Sequence, residues 1–120
     1  MTKAQMETPL WISPYDQHKW KLEPHDISYD DPNKVCNPNT AQRDIIMLRN
    51  AQIELARRGM LNHYVRGKYI TQITGEHFYY VRMALWRLAR AGMVERYRKP
   101  ARHVKGRWDV YYLLKNLGRL

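Results

Sequence analysis

Apolar residues recur at three- and four-residue steps through the middle of the chain, as Ile45, Leu48, Ala51 and Leu55, with Ile46 and Ile53 at their sides. That spacing places one buried stripe on an α-helix, and the two isoleucines are expected to widen it. Asn39 or Thr40 can accept a hydrogen bond from the free amides of a first turn, Asp44 sits near the positive end, and Arg57, Arg58 and Gly59 form a stop signal. The first helix is therefore expected over about 40–58. After the ambiguous stretch "MLNHYVRGKY", in which Gly67 reads as a break, Ile70 to Thr74 forms a short second helix and Gly75 a tight turn. A third helix follows from Phe78 to Ala91, with Val81, Ala84, Leu85 and Leu88 on one face and Gly92 just past its end. The period then changes. "MVERYRK" and "RWDVYYLL" are rich in Val, Tyr and Trp and are joined by "PARHVKG", which predicts a hairpin with a long basic tip.

The first 39 residues obey neither period. They hold five of the six prolines, too closely spaced for an ordinary helix, yet they also hold Trp11, Tyr15, Trp20 and Tyr29. Disordered tails lack such large apolar groups, so this arm is expected to wrap over its own domain or over a partner, the first being favoured. The predicted fold is mainly α with a small β-hairpin: an extended Pro-rich arm over 1–39, then a domain over 40–120 of three helices and a two-stranded hairpin.

Charge sharpens this division. The arm carries four Lys/Arg against six Asp/Glu, whereas the rest carries seventeen against five. A domain so basic concentrates polyanions at its surface. At 120 residues the chain is about one domain long, and its single cysteine, Cys36, excludes an internal disulfide. No apolar run approaches the ~20 residues that span a bilayer and the N-terminus lacks a leader-like apolar stretch, so a cytoplasmic protein without membrane contact is expected. The motifs of phosphate-binding loops, serine hydrolases and zinc enzymes are absent, and His18, His25, His63, His77 and His103 are scattered. Neither an enzyme nor a cofactor-binding or metal-binding protein is expected.

The order of elements, and the segments "ITQITG", "VRMALWRLARAGMVER" and "GRWDVYYLL", resemble the winged helix-turn-helix superfamily over residues of about 40–114. The resemblance implies a DNA-binding protein, a small transcription regulator, with the third helix in the major groove of double-stranded DNA and the wing on the phosphate backbone. On the third helix, Tyr79, Arg82, Met83, Trp86 and Arg90 lie opposite the apolar face, and Arg82 could pair with a guanine edge. On the wing, Arg96, Arg98, Lys99, Arg102, His103, Lys105 and Arg107 crowd into twelve residues, a repulsion that a polyanion relieves. Arg66, Lys68 and Gln72 could add backbone contacts.

The third helix also departs from the superfamily pattern. His77 stands where Ser or Thr usually caps, Glu76 replaces an apolar turn residue, and "FYY" opens the helix. Glu76 would oppose phosphates unless an arginine pairs with it. Tyr79, Met83 and Trp86 in one stripe match protein-binding hot spots, so an interaction module of a transcription or replication machine, using Trp86 or residues 1–39, is the alternative. RNA binding by stacked rings stands third. Phe78 and Tyr80 are expected to pack against the arm or the first helix. A homodimer is left open, although no heptad seam is visible.

Overall fold

The computed structural model describes residues 8–25, 38–101 and 104–114. In chain order they form β1 (Trp11–Ile12), a 3-10 turn (Pro14–Asp16), α1 (Gln17–Trp20), β2 (Glu23–Pro24), α2 (Pro38–Arg57), β3 (Tyr64–Val65), α3 (Gly67–Thr74), α4 (Phe78–Arg90), β4 (Glu95–Pro100) and β5 (Trp108–Leu113). The strands make one five-stranded antiparallel sheet in the order β1-β3-β5-β4-β2.

This overturns the expectation of a mainly α fold with a two-stranded wing behind an extended arm. The chain builds a mixed α/β fold with four helices and five strands among its described residues. The physical reason is edge satisfaction, because an isolated hairpin exposes a row of unpaired backbone groups on each side. Here β3 covers β5, and the two halves of the arm complete the sheet from both ends, with Trp11 opposite Val65 and Glu23 opposite Arg98. The Arg66 N–H donates to the Leu10 carbonyl at 2.9 Å and the His25 N–H to that of Arg96 at 2.9 Å, extending both junctions. Strands of two residues carry no readable alternation.

The pleat gives each strand two faces. Val65, Val110 and Tyr112 turn toward the helices and join the main core with Leu48, Leu55, Ile70, Val81 and Leu85. Ile12, Tyr64 and Tyr111 turn the other way into a second cluster, against which Trp20 and Leu22 of the arm pack. The Tyr111 hydroxyl donates to the Pro9 carbonyl at 2.8 Å, fastening the arm across that face.

On α2 the buried side is Asp44, Met47, Leu48, Ala51, Gln52 and Leu55. Ile46 and Ile53 stay 52% and 45% exposed, so they do not widen the stripe as expected. The rotation of α2 is fixed by Asp44, which is 2% exposed and serves as a bridge to α4, well beyond a role at the helix dipole. Its carboxylate accepts from Arg87 Nε at 2.7 Å, from a second Arg87 nitrogen at 3.0 Å and from the Tyr80 hydroxyl at 2.9 Å. Burial, then the hydrogen bond to Asp44, push the Tyr80 hydroxyl far above its ordinary pKa, so it remains a donor.

The unit α3–turn–α4 is set by local signals. Gly67 begins α3, where a break was expected, because the extended Arg66 before it lets the helix start early. Gly75 ends α3 at φ 75°, its N–H donating to the Thr71 carbonyl at 2.9 Å. A Cβ there would meet no atom within 4 Å, so strain comes from the backbone angle alone. Gly75→Ala is expected to lower stability by about 1 kcal/mol, read as a lower urea midpoint with unchanged slope. His77 replaces the usual Ser or Thr cap of α4, its Nδ1 accepting the Tyr79 N–H at 3.3 Å.

Candidate nucleic-acid interface

Where the start of α3, the first turns of α4 and the hairpin converge, they leave a cleft of about 550 Å³. Arg66 and Lys68 line it from the α3 end, Arg82 from α4, Arg96 from β4 and Arg107 from just before β5. Phe78, Trp108, Val110 and Tyr112 supply apolar wall. Among the described residues, no carboxylate lines the cleft.

The strand register explains this convergence. Arg96 pairs with Tyr112, Arg98 with Val110 and Pro100 with Trp108, so these side chains share the sheet face that meets the helices. The Arg98 guanidinium sits 4.2 Å from the centre of the Trp108 ring, beside the cleft. The Nε of Arg96 and of Arg98 are buried without a hydrogen-bond partner. Such donors are costly to leave unmet.

Alternation removes one predicted residue from this surface. Lys99 falls on the opposite face and is 6% exposed. Its ammonium is 3.6 Å from the buried Asp109 carboxylate and 5.1 Å from the centre of the Trp20 ring. Burial of Asp109 draws in several donors: Thr8 Oγ1 at 3.2 Å, and Arg66 at 3.8 Å as an ion pair. Arg66 therefore borders the cleft with its charge partly engaged, whereas Lys68, Arg82 and Arg107 are exposed.

A second hollow, of about 390 Å³, adjoins the first. Tyr79, Met83 and Trp86 line it together with Arg82, Arg96 and Tyr112, and these last three also line the cationic cleft. Tyr79 is 69% and Met83 50% exposed, while Trp86 is half-buried. The Arg90 guanidinium lies 5.2 Å from the Trp86 ring centre and also borders a separate hollow near His25 and Glu95. Gln72 is exposed on α3 but lines neither hollow, and Lys105 is exposed near the tip of the hairpin. Arg102 and His103 lie outside the described residues.

Glu76, the acidic residue beside this surface, pairs with Arg43 at 3.6 Å, and the Arg43 guanidinium lies 3.8 Å from the centre of the Tyr80 ring. Its charge is thereby partly offset. Of the opening aromatics, Tyr80 packs toward α2 through Asp44, as expected, while Phe78 is 41% exposed and faces the cleft. Sequence reasoning missed Trp108, Val110 and Tyr112 as cleft walls, although their alternation along β5 carried the signal.

Among the described residues no group of three His, Cys, Asp or Glu side chains is placed to hold a metal ion, and no helix is long and apolar enough to cross a membrane. No family model matches the chain, and neither a curated protein nor a solved structure matches it.

Proposed function

We propose that the protein binds double-stranded DNA by laying a phosphate backbone along the cleft between α3, α4 and the hairpin, with α4 turned toward the groove beside it. The observation that carries this reading is the meeting of five cationic side chains, from the start of α3, from α4 and from the hairpin, at one cleft without a carboxylate among its described lining residues. Like charges held together repel, and a polyphosphate relieves that repulsion while releasing its condensed counterions. The helix-turn-helix likeness of the sequence supports the same docking, and a role as a small transcription regulator is its natural extension.

Sequence preference is weak in this reading. The α4 sequence, "FYYVRMALWRLAR", contains no Asn, Gln, Asp or Glu, the residues that read adenine or cytosine edges, and it sets Arg82 alone among its arginines at the cationic cleft. The alternative of a protein-interaction module relies on Trp86 and the arm. The described part of the arm spends Ile12, Trp20 and Leu22 on its own sheet, which leaves that alternative fewer groups to offer.

Titration of a labelled duplex with the full chain at several salt concentrations tests the proposal. Lys68→Ala is expected to weaken binding to every sequence alike and to reduce the log–log salt slope by about 0.9, the effect of one lost phosphate contact. An unchanged slope would remove Lys68, and with it the α3 end of the cleft, from the interface.

A further inference from the structure

We infer that the aromatic hollow beside the cationic cleft receives one unpaired nucleobase, so that the preferred ligand is a DNA duplex carrying an unpaired nucleotide. The inference rests on the DNA-binding reading and specifies its ligand. Arg82, Arg96 and Tyr112 belong to both hollows, so a strand whose phosphates follow the cleft passes the mouth of the second. The wall that the second hollow does not share with the cleft suits the face of an extruded base better than the edge of a paired one. Tyr79, Met83 and Trp86 offer broad apolar and π surface with few hydrogen-bonding atoms, and every base has a π face to set against it. Its volume of about 390 Å³ falls within the range of small-molecule sites.

Charge selects the occupant. No carboxylate lines the hollow among the described residues, while Arg82 and Arg96 do. An apolar protein side chain would fill the space and bring nothing for the two cations, whereas a nucleotide brings a base for the rings and a phosphate for the arginines. Tyr79 at 69% and Met83 at 50% exposure keep the hollow open to solvent. A paired base, stacked within a helix, presents only its edge there.

The test compares three labelled duplexes of equal length under one salt condition: fully paired, carrying one unpaired adenine, and carrying one unpaired abasic nucleotide. The full chain is expected to bind the unpaired adenine at least about fivefold more tightly than the abasic duplex, the lower end of what one stacked base contributes. Joint Tyr79→Ala and Met83→Ala substitution should bring that ratio to within about twofold, and 2-aminopurine at the unpaired position should lose fluorescence on binding the unsubstituted chain. Salt-dependent binding of all three duplexes with equal affinity would overturn the inference while leaving DNA binding standing. Failure to bind any duplex would overturn both.

Discussion

Asp44→Ala is expected to be the most destabilising single change at a polar position, lowering the unfolding free energy by about 3 kcal/mol. That is the low end for breaking a buried ion pair, because Arg87 retains 24% side-chain exposure and water can reach it in part. The substitution removes the acceptor of three hydrogen bonds, two from the Arg87 guanidinium and one from the Tyr80 hydroxyl, between two packed helices. A small domain has only about 5–15 kcal/mol in total, so the urea midpoint should fall substantially. Asp44→Ala combined with Arg87→Met should be more stable than Asp44→Ala alone, since the cation that Asp44 offsets is removed with it. If the double variant is no better, the cost lies in packing and not in the charge that Asp44 offsets.

The second large effect is on DNA. Replacing Arg82, Arg96 and Arg107 together with Gln removes three cations contributed by α4, by β4 and by the residue just before β5. With about 0.9 of salt slope per phosphate contact, duplex affinity should fall roughly 500-fold near 0.1 M salt and approach parity with the unsubstituted chain near 1 M, where the counterion term vanishes. Glutamine keeps much of the length and a hydrogen-bonding end, so a protein that is folded by circular dichroism yet shows this loss implicates charge. A variant with normal affinity at low salt would mean that DNA, if bound, lies on another face.

The long helices were legible because they carry many turns of period. The third helix was expected over 78–91 and α4 spans Phe78–Arg90, with Val81, Ala84, Leu85 and Leu88 all buried on one face. The first helix was expected over about 40–58 and α2 spans Pro38–Arg57, although its buried stripe is rotated from the expected one. Hydropathy alone could not find that rotation. A polar residue, Asp44, fixes it by taking Arg87 into the interface, while two isoleucines are left at the surface.

The sheet was half legible. β4 and β5 have six residues each, long enough for alternation, whereas β1, β2 and β3 have two each and owe their existence to edges offered by other segments. Pairing of this kind is tertiary, and no local window contains it. The basic hairpin shows the same limit from the other side. Arg96, Arg98, Lys99 and Arg107 form one cluster in sequence, but the two-residue period of the strand sends Arg96 and Arg98 toward the helices and Lys99 into a buried pair with Asp109. Parity along β4 is visible in the sequence; which parity faces the helices is not.

Whether phosphates lie along the cleft is tested most directly by the salt dependence of duplex binding by the unsubstituted chain. Four engaged cations, Lys68, Arg82, Arg96 and Arg107, predict a log–log slope of about −3.6, or roughly a 150-fold loss of affinity between about 50 and 200 mM salt. The Arg82, Arg96 and Arg107 triple variant should retain a slope near about −0.9. A slope close to zero for the unsubstituted chain, or one that the triple substitution leaves unchanged, would contradict the account.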